Sequence, residues 1–487
     1  MAMQTIWAVA RNNIAQAIRL RVAFVIMALY LVLVPAIPFF VRGDGTLRGL
    51  LHVVIGYSLI VAGALLGVLT LTLSTTTLWT ELRDKQIYLI EARPVRRWQL
   101  LLGKFLGILI INAALMIFMG LVTWGSVHML ARQKRWDDKR TPQGAEKTLW
   151  AHKERDLARR QVLVARRTVD PEPPPETEIR AYVKQFLEAR VKELTRRDKM
   201  PPGGRDEVAR ELVGEYYKLI NVVRPRMGRR WRFAGLPTHL RPDDRITVRL
   251  KFFSSDTKTD EPDFTRWEFT QPPDTVPKGQ RPRAYRYDQR FLPDELHEIH
   301  IPADVIGPKG DLEVRYYNLE PRRPTHIFSG TDAIQVLTPV GGFAANLARG
   351  LAVIFVEVTF IAALGLFCST FLTFPVSPIV ALAILLLIIL TGAVSAEFEK
   401  GLTFDQNKES KTAMIAEKFA RGVTAAAHFI LPPFDRYRPA DRVCAGEEVS
   451  WGTLVSAAAW IGLFYGGLLT VLGAFIFQRR ELALAAR

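Results

Sequence analysis

The sequence predicts a membrane all-α bundle of six helices, with an inserted extracytoplasmic α+β domain made of a helical hairpin and an antiparallel β-sandwich. Six stretches are mainly apolar over about 20 residues or more, the length that a helix needs to cross the hydrocarbon core of a bilayer. Between the third and fourth stretches lies a long charged region. Its apolar residues recur first with a helical period and then with a period of two.

The predicted elements divide the chain into five regions. These are 1–21, an N-terminal interfacial (elbow) helix; 22–130, transmembrane helices 1–3; 131–228, the helical hairpin; 229–345, the β-sandwich; and 346–487, transmembrane helices 4–6 with an external connection at 397–450 and a cytoplasmic tail. The six spans are 22–41, 50–79, 105–130, 350–374, 376–396 and 451–477.

The first part of the insertion has a helical pattern, over residues 144–223. Ile179, Val183, Phe186 and Leu187 are spaced to share one helix face. Proline and glycine at 201–204 break the pattern, which predicts two helices joined as a hairpin, and the proline-rich run 171–175 marks an earlier break.

The second part of the insertion predicts strands. Ile246, Val248, Leu250 and Phe252 alternate with polar residues, as in a strand with one buried face. Similar runs occur at Trp231 and Phe233, Trp267 and Phe269, Tyr285 and Tyr287, Ile299 and Ile301, Val314 and Tyr316, and Ile334 and Val336. With about seven strands separated by turns, a small β-sandwich is the economical interpretation, and a barrel is the alternative.

Lysine and arginine next to the spans predict the orientation, because they resist translocation across the membrane. They occur before the first span, between the second and third spans, and after the sixth. All three regions fall on one side if the N-terminus is cytoplasmic. We therefore expect a multi-pass protein of the plasma (inner) membrane with residues 131–349 extracytoplasmic, although the external connection is also basic.

Composition narrows the possible functions. The 487 residues carry a formal net charge of +17, but no compact basic motif with interleaved aromatic residues predicts nucleic-acid binding. The two cysteines, Cys368 and Cys444, cannot build a disulfide framework or a cysteine-rich metal site. No phosphate-binding loop is present, so this chain is not expected to hydrolyse ATP. His297 and His300 with Glu298 are interpreted as exposed polar positions.

One ionisable residue falls within a predicted span. Glu357 lies about 11 Å along the helix from Arg349, at a rise of 1.5 Å per residue. A carboxylate at that depth must be neutralised, hydrated or paired, so it faces a helix interface or a cavity. An interhelical hydrogen bond and a role in a substrate path are the two interpretations.

The connection between the second and third spans, residues 80–104, is the most informative stretch. Its pattern predicts a short amphipathic helix at 84–92 that presents charge to a soluble partner and ends before Pro94. An ordinary basic interfacial loop is the alternative. The candidate contact residues are Glu81, Arg83, Asp84, Lys85, Tyr88, Glu91, Arg93, Pro94, Arg96 and Arg97.

These features resemble the ABC-2 class of exporter permeases (type V exporter-like), including the group that contains the permease of nitrous oxide reductase maturation. The resemblance rests on four motifs. In the connection between the second and third spans it is the run Arg93-Pro94-Val95-Arg96-Arg97 followed by Gly103-Lys104 and Gly107, and at the N-terminus it is an amphipathic segment with Ile6, Val9, Ile14 and Ile18 opposite Arg11, Asn12 and Arg19. Before the last span it is Ile430-Leu431-Pro432-Pro433-Phe434-Asp435 followed by Gly446 and Trp451, and after that span it is the tail Arg479-Arg480-Glu481-Leu482. It covers both ends of the chain and omits the insertion.

The resemblance implies a pair of permeases docked on two ABC ATPase subunits, which hold ATP and Mg, with no cofactor in this chain. Residues 81–97 would carry the nucleotide-driven movement into the spans. The second permease would be an identical or related subunit. The insertion departs from the minimal family pattern and leaves the substrate open.

Two other functions compete with transport. The insertion could bind an envelope glycan, lipid or protein while the spans anchor it. An intramembrane enzyme is the third hypothesis, and it lacks a recognisable set of polar groups within the spans.

Overall fold

The computed structural model describes residues 2–19, 21–41, 45–83, 96–136, 154–198, 200–201, 203–240, 244–255, 261–275, 281–321, 324–328, 333–399 and 431–479, with the side chains of 2, 81, 82, 135 and 393–399 left aside. Two compact units divide the chain. The helical unit combines Met1–Ala165 with Val340–Arg487, and the β unit is Arg166–Pro339.

The described residues include eleven helices. They are α1 Ala2–Arg19, α2 Val22–Phe40, α3 Leu47–Arg83, α4 Arg97–Ala131, α5 Glu154–Gln161, α6 Glu176–Arg196, α7 Gly204–Ile220, α8 Phe343–Phe371, α9 Val376–Glu399, α10 Pro439–Cys444 and α11 Trp451–Arg479. Residues Ala458–Gly466 of α11 form π-helical turns.

Five helices among the described residues are long and apolar enough to cross a membrane: α2, α3 to Thr80, α4, α8 and α11. They coincide with five of the six predicted spans and indicate a membrane protein. The predicted fifth span falls on α9, where the described apolar part, Val376–Gly392, is shorter. Both α3 and α4 begin before their predicted spans, at Leu47 and Arg97. Because α4 has 35 residues, it is about 50 Å long and extends past the hydrocarbon core.

Helix α8 is the most enclosed of these five helices, since 67% of its apolar window is buried, against 17% for α2. Glycines allow its neighbours to approach closely. A Cβ at Gly63 of α3 would lie 3.6 Å from Ile354, and one at Gly120 of α4 would lie 2.7 Å from Leu351. A Cβ at Gly473 of α11 would lie 3.5 Å from the Phe367 backbone. The apolar core of the helical unit therefore forms around α8.

The described part of the predicted external connection, residues 431–450, packs into the helical unit. Tyr437, Val443 and Val449 are almost fully buried. Asn346 of α8 donates to the Glu447 carbonyl at 2.7 Å and accepts from the Val449 amide at 2.8 Å. This segment is therefore fixed to α8 by both side-chain packing and backbone recognition.

The β unit contains the seven predicted strands and additional short ones. The strands are β1 Val164–Val169, β2 Val222–Val223, β3 Gly228–Phe233, β4 Arg245–Leu250, β5 Phe253–Ser254, β6 Asp263–Thr270, β7 Ala284–Phe291, β8 His297–Pro302, β9 Leu312–Asn318, β10 His326–Ile327 and β11 Ile334–Gly342. Strand β1, which begins in the helical unit, falls in a stretch where the sequence predicts helix. The two-residue strands β2, β5 and β10 have no counterpart in the prediction.

Two four-stranded sheets, ordered β1-β11-β4-β8 and β3-β9-β6-β7, share one apolar core. A three-stranded sheet, β2-β10-β5, is not paired with either of them by strand hydrogen bonds, and Val223 of β2 belongs to the same apolar core. The alternation of the sequence explains the core, because Val248 and Ile299 are partners across β4 and β8, and both are buried. Trp267 of β6 lies 4.6 Å from Tyr316 of β9, measured between ring centroids. The arrangement agrees with a β-sandwich.

Helices α6 and α7 form the predicted hairpin. Arg190 of α6 pairs with Glu215 of α7 at 3.8 Å, and the rings of Tyr182 and Tyr216 lie 5.3 Å apart. Of the face predicted for α6, Ile179, Val183 and Leu187 are half-buried, whereas Phe186 is exposed. The acidic residues Glu176 and Glu178 in the first turn of α6 complement the helix dipole.

A polar cluster lies inside the sandwich core. The His326 ring hydrogen-bonds the Tyr316 hydroxyl through Nδ1 and Asp263 through Nε2, the latter at 3.1 Å. All three side chains are almost fully buried. Burial lowers the pKa of His326, and the Asp263 carboxylate offsets part of that shift. Neutral histidine therefore fits the folded state better than the imidazolium does.

We predict that the stability of the β unit falls as pH decreases below about 6.5, the ordinary histidine pKa. The unfolded chain binds a proton on His326 at higher pH than the folded chain does. The contribution of neutral His326 to stability is therefore fully present above the ordinary histidine pKa and is lost as the pH falls through the folded-state pKa. Hydrogen exchange of the β6 and β9 amides in the full chain, corrected for intrinsic rates, measures this. His326→Gln should flatten the profile, and exposed His239→Gln should not. Equal slopes in wild type and His326→Gln would contradict the prediction.

Candidate functional site

The described part of the predicted ATPase-contact segment lies at one end of the helical unit. Helices α3 and α4 are antiparallel neighbours, since Asn112 of α4 donates to Thr70 of α3 at 2.8 Å and Lys104 donates to the Thr77 carbonyl at 3.2 Å. The end of α3 therefore lies beside the start of α4. The end of α11 joins them through Arg97. We call this region, residues 2–19, 77–83, 96–107 and 473–479, the Arg96 end.

The structure places some of the predicted contact residues and not others. Arg83, Arg96 and Arg97 lie at the Arg96 end, and Glu81 lies in the last turn of α3. The Arg83 guanidinium stands over the Trp79 ring at 4.5 Å. Asp84, Lys85, Tyr88, Glu91, Arg93 and Pro94 lie outside the described residues, as does the predicted helix at 84–92.

Helix α1 packs against the start of α4 at two glycines spaced four residues apart. A Cβ at Gly103 would lie 2.6 Å from Val9 Cβ, and one at Gly107 would lie 3.0 Å from the Ala10 carbonyl oxygen. Asn13 Nδ2 also donates to the Lys104 carbonyl at 3.2 Å. This small-xxx-small contact brings the two backbones together, as in packed membrane helices.

Lys104 ties α4 to α3 from inside the helical unit. Its side chain is 1% exposed, and its ammonium group donates to the Thr77 carbonyl. A buried lysine requires such partners, because an uncompensated charge away from water is costly. Lys104 thus stands between α1, which holds its carbonyl, and α3, which receives its side chain.

Arg96 and Arg97 define the first turn of α4. The Gln99 side chain accepts from the Arg96 amide at 3.1 Å and so caps the helix. Arg97 donates to the Phe477 and Gln478 carbonyls, at 3.2 and 3.4 Å, near the end of α11. These carbonyls belong to the negative end of a helix dipole, which a cation stabilises.

Polar pairs also join the spans farther from this end. The Tyr30 hydroxyl of α2 lies 2.7 Å from Thr123 Oγ1 of α4 and 3.1 Å from the Ser58 carbonyl of α3. With Asn112 and Thr70, this links α2, α3 and α4. These residues were not predicted from the sequence, although isolated polar residues in apolar stretches are a signal of such contacts.

Glu357 lies in α8 and is half-buried. Residues of the same face contact the 431–450 segment: a Cβ at Gly350 would lie 2.6 Å from Val443, and the Phe360 ring lies 5.6 Å from that of Phe434. Among the described residues, none hydrogen-bonds or pairs with the Glu357 carboxyl. The predicted interhelical hydrogen bond is therefore not among the described contacts.

We predict that Gly103→Leu lowers the free energy of unfolding by about 1–3 kcal/mol, the usual cost of overpacking, because the new side chain displaces α1. Thermal unfolding in detergent measures the loss, and protease cleavage should begin in α1. Gly125→Leu on the same helix is the matched control, since nothing lies within 4 Å of its Cβ position. Equal stability of the two variants would disprove the packing role.

Within the described residues, no three His, Cys, Asp or Glu side chains are grouped to hold a metal ion. The chain matches no protein-family model, no curated protein and no solved structure.

Proposed function

We propose that this chain is the transmembrane permease of an ATP-driven ABC exporter, moved by a separate ATPase that docks at the Arg96 end. The supporting observation is the convergence of four helices there. Arg97 binds α11, Lys104 binds α3, and Gly103 receives α1. A displacement of the chain just before Arg96 would therefore move α4 together with its three neighbours.

The distribution of charge supports a cytoplasmic position for this end. Arg83, Arg96, Arg97 and Arg479 are grouped there, and basic flanks stay on the cytoplasmic side. The chain leaves α4 at Ala131 and enters α8 at Phe343, both at the opposite end of the helical unit. The insertion between them would then be extracytoplasmic.

The ATPase must supply the work, because the sequence has no phosphate-binding loop. ATP and Mg would be held by that partner. Its two nucleotide states shift the permease only if they contact the Arg96 end differently. We further propose that two permeases, identical or related, pair in the membrane around the substrate path, to which Glu357 would contribute a polar group.

A second function, recognition by the insertion, is favoured by a different observation. The β unit has its own apolar core and a cavity of about 870 Å³. We propose that such a domain would bind its ligand whether or not the spans transport it. Transport that survives loss of ligand binding by the β unit would separate the two functions.

We predict that reversing charge with Arg93→Glu and Arg96→Glu together releases the ATPase. Purification of the tagged chain from native membranes, followed by mass spectrometry, should recover a protein with a phosphate-binding loop. Its yield should fall about tenfold in the double variant, because opposite charge at the contact repels the partner. Arg132→Glu, after the opposite end of α4, is the control and should retain the ATPase. An unchanged yield in the double variant would contradict the docking site.

We predict that Arg96 and the β unit are on opposite sides of the membrane. In a chain with Cys368 and Cys444 replaced by serine, Arg96→Cys should react with an impermeant maleimide only after permeabilisation. Arg180→Cys should react in intact cells, since the Arg180 side chain is 81% exposed. Labelling of both positions in intact cells would overturn the proposed orientation.

A further inference from the structure

The cavity of the β unit opens beside an edge strand. Strand β3 is the first strand of its sheet and pairs on one side only, with β9. The cavity, of about 870 Å³, is bounded by β3, by residues 172–175 and by the last turns of α7. Its walls therefore combine a strand edge with a helix and a proline-rich segment.

The open edge of β3 can be located from its register. The Arg232 carbonyl accepts a hydrogen bond from the Glu172 amide at 2.7 Å, so the backbone N–H and C=O of Arg232 point away from β9. In an antiparallel ladder this direction alternates from residue to residue. Arg230 and Gly228 consequently present their backbone groups to the same edge, where neither bonds to a described residue.

The segment that covers Arg232 cannot continue along the strand. Residues 173–175 are prolines, which have no N–H to donate, and α6 begins directly afterwards. The uncovered part of the edge, at Gly228 and Arg230, faces the cavity. Two donors and two acceptors are thus available to an extended chain.

The charges of the cavity favour an acidic ligand. Lys218, Arg224 and Arg230 line it, and in the described part of the chain none has an ion-pair partner. Arg229 is fixed by Asn221, at 2.8 Å, and stands 4.5 Å from the Trp231 ring centre. Burial lowers the pKa of Arg229 to about 10, so a nearby carboxylate would favour its charged form.

The carboxylates of the cavity offset only part of this charge. The lining includes five basic and three acidic residues, namely Lys218, Arg224, Arg229, Arg230, Arg232, Glu172, Glu178 and Glu215. Glu178 accepts from the Tyr216 hydroxyl at 3.2 Å, and Glu215 pairs with Arg190 at 3.8 Å. Apolar surface comes from Leu219 and Met227.

We propose that this cavity binds an extended acidic peptide, which adds to β3 as a further strand. The peptide backbone would pair with Gly228 and Arg230, and its carboxylates would meet Lys218, Arg224 and Arg230. Alternate apolar side chains would contact Leu219 and Met227. A sugar or a free anion would leave the strand edge unpaired. This proposal concerns the β unit and does not depend on transport.

The test uses the full chain in nanodiscs and a fluorescein-labelled decapeptide of alternating valine and glutamate, measured by fluorescence anisotropy. A peptide with lysine in place of glutamate tests charge. A glutamate peptide N-methylated at alternate residues tests backbone pairing, because it lacks donors on one edge. We expect the unmodified acidic peptide to bind and both other peptides to bind at least about tenfold more weakly.

Arg230→Ala should weaken binding of the acidic peptide about tenfold while leaving the thermal unfolding of the chain unchanged. Arg286→Ala is the matched control, because Arg286 is an exposed arginine on β7, the other edge of the same sheet. It should change binding less than about twofold. Absence of binding, equal binding of the acidic and basic peptides, or undiminished binding of the N-methylated peptide would overturn the proposal.

Discussion

The helical unit depends on close contact between helix backbones. In a bilayer, apolar side chains gain little by leaving lipid for another helix, so association relies on packing and on polar bonds between helices. Both are present here at defined positions. Gly103 admits α1 to α4, Gly365 of α8 lies directly against Ser74 of α3, and Gly350 admits Val443. The Tyr30–Thr123 and Asn112–Thr70 pairs add polar bonds within the spans.

Helix α4 connects these contacts, because it packs against several of the other helices along its length. Its first turns meet α1, α3 and α11, and its later turns meet α2 at Thr123 and α8 at Gly120. A continuous helix transmits a displacement of one end because its backbone hydrogen bonds resist bending. The π-helical turns in α11, at Ala458–Gly466, are a different kind of segment, since wide turns are often associated with function in helices.

Much of this fold could be predicted from local sequence pattern. Apolar runs located five helices of membrane-crossing length, and alternation located the seven longer strands. Strands β2, β5 and β10 have two residues each, too few for a period to be recognised. Strand β1 follows a helical segment directly, so the sequence pattern predicted helix at its residues as well. The burial of Tyr437 and Val443 also escaped prediction, because the arginines and aspartates around them are typical of an exposed loop.

The candidate site could also be predicted from the sequence only in part. Clustered arginines located the Arg96 end along the chain, but Arg97 and Phe477 are separated by 380 positions, and no local pattern reports such a contact. The partners of Lys104 and Tyr30 escaped prediction for the same reason. Glu357 was recognised because a charge within an apolar run is visible in sequence. Its unpaired state among the described residues depends on packing, which sequence does not reveal.

The two edges of the β3-β9-β6-β7 sheet show how charge can either close a strand edge or leave it available. On β7, Asp288 lies opposite Arg266 of β6 and is held by its guanidinium at 2.9 and 3.1 Å, while Arg286 pairs with the same carboxylate. These three charged side chains are paired with one another within the sheet, and charged side chains on an edge strand discourage pairing with other chains. On β3, Arg230 has no such carboxylate among the described residues. The same residue type therefore protects one edge and, at the other, leaves a positive charge beside unpaired backbone groups, which is the combination that an acidic strand would neutralise.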